Sequence, residues 1–299
     1  MRSNLTPTGT VAMSRVRLLD YIALAKPELT LLSVTTALGA AYLAAGDPVP
    51  YWLLFHVFIG TILVGAGAGA LNQYAERHYD AMMRRTENRP LPSGRLEPTE
   101  ALALGSVAAI GGVIYLSAFT NVLAGFLAIV TLVTYLFLYT PLKRLTPFAT
   151  VIGGVPGALP PMIGWAAVAG GLTMGAWALF FILFFWQMPH FHSLAWMYRK
   201  DYARAGYRLL TVVDPSGAVA SRQILIYSAA LVPAALMPTM VGTLGITYFL
   251  GASLLSGGFL VLAIRLYRNH TNGNARMLFL ASLVYLSVLI GLMIFDRLT

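Results

Sequence analysis

The chain has no cysteine among its 299 residues, and Asp, Glu, Lys and Arg together make up only 10% of it. The first absence excludes disulfides, thiolate metal sites and a cysteine nucleophile. The second excludes an ordinary soluble domain, in which about 25% of residues are charged. Acids are the scarcer sign, 11 against 20 Lys and Arg. In a soluble protein a net charge of +9 would suggest nucleic acid. Here the basic residues stand in short clusters between apolar runs, so nucleic acid is set aside and their placement reads as membrane topology.

What is abundant is apolar: 58% of the residues are hydrophobic. Runs of about 20 such residues cross a ~30 Å hydrocarbon core as helices. They recur along the whole chain, at roughly 22–45, 51–75, 99–118, 121–140, 149–169, 174–195, 219–241, 245–267 and 277–295. The expectation is an all-α polytopic membrane protein, one domain over 1–299 with nine helices, a polar tail over 1–18, and polar active-site loops at 76–98 and 196–218. Small residues from Gly65 to Ala70 let the second helix approach a neighbour. Pro156, Pro160 and Pro161 predict a kink in the fifth.

Of the 20 Lys and Arg, 19 fall on one side of this arrangement and only Arg297 on the other. Positive residues favour the cytoplasm, which places the N-terminus there and the C-terminus on the opposite side. The opening stretch lacks a signal-peptide pattern and an Arg/Ser-rich amphipathic helix, so a bacterial inner (plasma) membrane is expected. Nine of the 11 acids share the basic side, with Asp47 and Asp296 opposite.

Those acids form a pattern. In NQYAERHYDAMMRRTENRPLPSGR, Asn72 to Arg95, a helix continued to Asp80 carries Asn72, Glu76 and Asp80 at i, i+4 and i+8, one face about 6 Å per step. Three oxygen-bearing side chains in a row make a ledge for Mg²⁺, which shares its remaining positions with substrate phosphates and water. Arg84, Arg85 and Arg89 follow, suited to phosphate oxygens. Taken singly, each is an ordinary helix-end side chain; together they suit a metal-bridged diphosphate.

A second polar stretch, Trp186 to Leu210, offers one carboxylate, Asp201, flanked by Arg199 and Lys200. Asp201 either completes a metal site or pairs with its neighbours, and Lys200 is a candidate for binding substrate. Lys143 and Arg144 close the fourth span and either join the diphosphate site or mark the interface. His190 and His192 stand two apart, so one unbroken helix points them in different directions.

The run from Asn72 to Gly94, with RTxxRPLPSG at its end, resembles the first signature of the intramembrane, UbiA-type prenyltransferase superfamily, and in particular its haem O synthase (protohaem IX farnesyltransferase) family. The resemblance continues in YTPLKRLTPFATVIGGVPGALPPMIGW and in WQMPHF followed by DYARAG, covering most of the chain. It implies nine helices around a central cavity, Mg²⁺, farnesyl diphosphate as donor and haem B as acceptor substrate. It implies catalytic roles for Asn72, Glu76, Asp80, Arg85 and Arg89, and contact of His190 with haem. It also brings in haem A synthase or cytochrome oxidase assembly proteins as partners. Two departures stand out: the second stretch is not rich in Asp, and AGYRLLTVV carries Arg208 and Thr211 where the family tends to have prolines.

Other readings are a prenyltransferase acting on an aromatic, quinone or lipid-headgroup acceptor, and a secondary transporter. Transporters place charge near the bilayer midplane and are built of repeats. This chain gathers its charge at one face and has no evident repeat.

Overall fold

The computed structural model describes residues 17–298; the expected tail, with Arg2 and Arg15, lies largely outside them. All regular structure in this range is helical. After a short helix over 17–24 come α1 (Pro27–Ala44), α2 (Tyr51–Asp80), α3 (Pro98–Phe119), α4 (Val122–Leu142), α5 (Ala149–Ala169) and α6 (Met174–Met197). Two short helices, α7 (Arg199–Arg204) and α8 (Leu210–Val213), precede α9 (Ala218–Met240), α10 (Ile246–Arg268) and α11 (Asn272–Leu298).

Eight of these helices are long and apolar enough to span a bilayer. The ninth expected span, α1, is shorter at 18 residues and diluted by Thr30, Ser33, Thr35 and Thr36. It nevertheless packs along α5 inside the bundle. Helix starts follow local chemistry. Pro98 opens α3 behind a reciprocal capping pair, Glu97 with Glu100, and Asn121 caps α4 by accepting from the Ala124 N–H at 2.9 Å. The second span runs five residues past its expected end and the last begins five before its expected start, because their polar turns are helical without being apolar.

α5 is the central pillar: 72% of its spanning window is buried, against 22% for α3 and α4. One apolar core lies between α5 and the helices α1 to α4, the other among α5, α6, α9, α10 and α11. α5 is helical throughout, its three prolines included. Close approach needs glycine where backbones meet: a Cβ at Gly67 would collide with the Ala109 backbone of α3, and one at Gly164 with the Ala37 carbonyl of α1. Outward, Val107, Ile110 and Ile114 of α3 and Phe126 of α4 are more than half exposed. A continuous exposed apolar band of this kind belongs against lipid, and the chain is a multi-pass membrane protein.

Candidate active site

α2 holds its helical geometry to Asp80, which puts Asn72, Glu76 and Asp80 on one face. All three are buried, at 1%, 6% and 1% exposure. A buried polar or charged group must be paired, and each finds a partner from a different part of the chain. Lys26, in the turn before α1, donates to Asn72 Oδ1, while Asn72 Nδ2 donates to Thr140 Oγ1 at 3.0 Å. Lys143 Nζ pairs with Glu76 Oε1, and the same oxygen accepts from the Tyr207 hydroxyl at 3.1 Å. Arg89 pairs with Asp80 Oδ2 at 2.7 Å.

Burial works against the Lys143 ammonium, yet the Glu76 carboxylate beside it holds its pKa well above the ordinary lysine value. Burial and the same carboxylate raise the Tyr207 phenol, which therefore stays a neutral donor.

The loop after α2 is folded onto the helix end. Thr86 Oγ1 donates to the Asp80 carbonyl at 2.8 Å and Ser93 Oγ to the Arg89 carbonyl at 2.7 Å. Gly94 supplies a positive φ of 72°, and Arg95 pairs with Asp20 at 2.9 Å. Met83, Leu91 and Leu96 are buried beneath it. This framework aims Arg89 back at Asp80. The second loop reaches the same place from the other side: Gly206 turns the chain at φ 72°, the Arg208 N–H donates to the Lys143 carbonyl at 2.9 Å, and Tyr207 between them points at Glu76.

Of the residues expected from sequence, Asn72, Glu76, Asp80, Arg89 and Lys143 are thus brought together. Arg85 sits at the rim, its guanidinium 3.3 Å from the Tyr202 hydroxyl and over the Tyr198 ring. Arg144 lies over the Tyr79 ring, 4.1 Å from its centroid. Arg84 and Lys200 are exposed. Asp201 is engaged by Arg204 at 3.3 Å, and among the described residues no three His, Asp or Glu side chains gather as a metal cluster. Lys26, Thr140 and Tyr207 are additions that spacing within one helix does not reveal. Lys26 carried one signal, as the lone cation inside the first expected span; Tyr207 carried none beyond its place in the divergent AGYRLLTVV.

The donor set fits a hard cation: an amide oxygen and two carboxylates, with one oxygen of each carboxylate, Glu76 Oε1 and Asp80 Oδ2, engaged by the bonds above. The two carboxylates are already matched by Lys143 and Arg89, with Lys26 in addition. Such a pocket favours a polyanion that brings a cation with it over a cation alone.

Lys26 is also part of the wall of a cleft between α1, α2, α4, α5 and α6, with about 1130 Å³ of free space counted out to its open mouth. The wall is largely apolar, with Tyr135, Tyr139, Gln187 and His190 among its polar members. Tyr135 and Tyr139 lie in a π-helical stretch of α4, Thr134–Tyr139, a distortion frequent at functional sites. α6 is continuous through Pro189. His190 faces the cleft, whereas His192 is 3% exposed in the core.

The UbiA prenyltransferase family model matches residues 32–288. A protoheme IX farnesyltransferase of Solibacter usitatus is 46% identical over 288 residues, covering 93% of this chain and 98% of the relative. One from Koribacter versatilis is 44% identical, covering 93% of both. The fold is shared with an apo UbiA homolog from Aeropyrum pernix K1 (TM-score 0.73, 21% identity, 91% and 98% covered). It is shared also with a UbiA homolog from Archaeoglobus fulgidus bound to DMAPP and Mg²⁺ (TM-score 0.67, 13% identity, 92% and 99% covered). A buried oxygen ledge ringed by cations at an apolar cleft, together with likeness over nearly the full length, shows that the chain belongs to the UbiA prenyltransferase family, in the branch of the protoheme IX farnesyltransferases.

Proposed function

We propose that the chain transfers a farnesyl group from farnesyl diphosphate to a vinyl group of haem B, with addition of water, giving haem O and diphosphate. The observation that carries the reading is the meeting of two environments. A charge-lined ledge suited to diphosphate stands against an apolar cleft suited to an isoprenoid tail and a macrocycle. Lys143, Arg89 and Lys26 bind the diphosphate oxygens, and Arg85 and Arg144 guide it in from the rim. Asn72, Glu76 and Asp80 would hold Mg²⁺, which when bound would supply positive charge to the departing diphosphate. As the C1–O bond breaks, the diphosphate leaves with the electron pair, and the cations meet the charge where it develops. The vinyl π electrons then form the bond to C1. Water adds to the resulting side-chain cation and loses a proton.

The apolar walls keep water from the allylic centre until the vinyl group has reacted. Asp201 stays with Arg204 in this scheme. The clustering of Lys and Arg on one side supports a reading in which the ledge faces the cytoplasm, with the N-terminus on that side, in a bacterial inner membrane.

The test is mass spectrometry of products after purified protein meets Mg²⁺ and farnesyl diphosphate with either haem B or 4-hydroxybenzoate. The expected product is haem B heavier by a farnesyl group plus water. Prenylation of the benzoate alone would contradict the proposal and favour an aromatic acceptor.

A further inference from the structure

α10 ends in two arginines that the rest of the bundle does not use. Arg265 and Arg268 stand in its last turn and are exposed. Among the described residues neither meets a carboxylate or a hydrogen-bond acceptor. Arg199, which also reaches the start of α11, is by contrast committed, donating to the Trp196 carbonyl at 2.7 Å and to Asn272 Oδ1 at 3.0 Å. The turn between α10 and α11 satisfies itself: Asn274 Nδ2 donates to the Asn269 carbonyl at 2.8 Å, and the Asn269 N–H to the Arg265 carbonyl at 3.1 Å. The two guanidiniums border a crevice with about 830 Å³ of free space counted out to its open mouth. Its other walls are Val261 and Ile264 of α10, the turn, and Asn274 of α11. It shares no residue with the cleft at the ledge.

A cation in the last turn of a helix is favoured by the helix dipole whatever lies beside it. What singles out this pair is the surface that leads to it. At about 100° per residue, Ile246, Leu250, Leu254, Gly257, Val261 and both arginines fall within one arc of about 100° on α10. The four apolar side chains are more than half exposed, and nothing lies within 4 Å of where a Gly257 Cβ would stand. The stripe is therefore an open apolar track. From Leu254 to Arg265 it runs ~16 Å, about half of the ~30 Å hydrocarbon core and so the depth of one leaflet. Two guanidiniums one turn apart repel each other until an anion lies between them, and their planar donor forks match phosphate oxygens. A phosphate held there, with acyl chains along the track, is a glycerophospholipid; a free phosphate would leave the track unused. No carboxylate stands by the pair to meet a choline or ethanolamine cation, so a headgroup of net negative charge fits best. We propose that this crevice is a binding site for an anionic phospholipid of the leaflet on the ledge side, with its phosphate on Arg265 and Arg268. The lipid there bridges the ends of α10 and α11.

The experiment takes the purified full-length protein in detergent, stripped of lipid, and reads binding by native mass spectrometry and unfolding as Tm. The probes are dioleoylphosphatidylglycerol, dioleoylphosphatidylcholine with the same chains, and glycerophosphate, which has a phosphate and no chains. Phosphatidylglycerol is expected to bind at least about tenfold more tightly than phosphatidylcholine and to raise Tm, and glycerophosphate to do neither. Replacing both arginines, Arg265→Gln with Arg268→Gln, should weaken phosphatidylglycerol about 30-fold, at about fivefold per arginine, and leave phosphatidylcholine as it was. Arg208→Gln removes another exposed cation and should change nothing. Val261→Trp obstructs the track with both charges in place, and should also weaken phosphatidylglycerol; it serves if the double variant fails to fold. Equal affinity for the two lipids, wild-type phosphatidylglycerol affinity in the double variant, or an equal loss in Arg208→Gln overturns the site. Glycerophosphate bound as tightly as phosphatidylglycerol overturns the lipid as its occupant in favour of a soluble anion.

Discussion

At the end of the bundle away from the ledge, the Asp296 carboxylate accepts the backbone N–H groups of Gly245 and Tyr248, and Arg297 donates to the carbonyls of Tyr42 and Ala45. At the ledge end, Glu76 is met by Lys143 and Tyr207, and Asp80 by Arg89. Both ends satisfy their charges, the far end chiefly through backbone groups, beside one long ion pair between Arg297 and the exposed Asp47 at 3.9 Å, and the ledge end through side chains. A charge bonded to backbone groups closes helix ends and cannot be released without exposing them. A charge bonded to another side chain can exchange that partner for a ligand. The far end is thus a clasp joining α1, α10 and α11, and the near end, under the proposed function, a site whose internal pairs stand in for substrate and metal.

Substitutions sharpen this contrast. The largest effect is expected at Asp80→Ala: kcat/KM falls by about 10³-fold while the detergent-solubilised protein stays folded. Asp296→Ala inverts the pattern, leaving kcat/KM per folded molecule unchanged and lowering stability by about 1.5–3 kcal/mol, read as a drop in Tm. Equal loss of turnover in both would break the distinction. Next in size is Lys143→Met, for which KM for farnesyl diphosphate should rise at least about tenfold, with little change for haem B. Tyr207→Phe removes a single neutral donor to Glu76, so steady-state kinetics should show a loss of about three- to tenfold.

The smallest effect concerns Asp214, which accepts from the Ser216 hydroxyl and the Val219 N–H at the start of α9. Those bonds hold its carboxyl below the ordinary value. A group depressed in the folded state adds stability above its unfolded pKa of about 3.9 and loses it as pH falls through the folded value. Asp214→Asn should therefore lower Tm slightly at pH 7, and the difference from wild type should vanish at strongly acid pH. A difference that persists there would assign the effect to something other than the carboxylate charge.

The ledge was legible in the sequence because Asn72, Glu76 and Asp80 belong to one helix, where spacing alone decides which side chains share a face. Their partners were less so. Tyr207 reaches Glu76 across 131 residues and Lys26 reaches Asn72 across 46, and nothing local encodes such meetings. The loop motif was legible as a string but not as a device: Thr86, Ser93 and Gly94 shape the turn that returns Arg89 to Asp80. The membrane spans followed from long apolar runs. α1 is the marginal one, its hydroxyl-bearing residues lowering its apolarity because Thr30, Ser33 and Thr36 line the cleft and do not face lipid. The π-helical stretch of α4 left no mark, since its residues, TYLFLY, read as ordinary apolar helix.

The most direct measurement compares binding of an unreactive farnesyl thiodiphosphate, with Mg²⁺, to wild type, Asp80→Ala and Asp296→Ala by calorimetry in the same detergent. The account predicts that Asp80→Ala loses affinity by about 100-fold or more while Asp296→Ala binds as wild type does. Wild-type affinity in Asp80→Ala would contradict it.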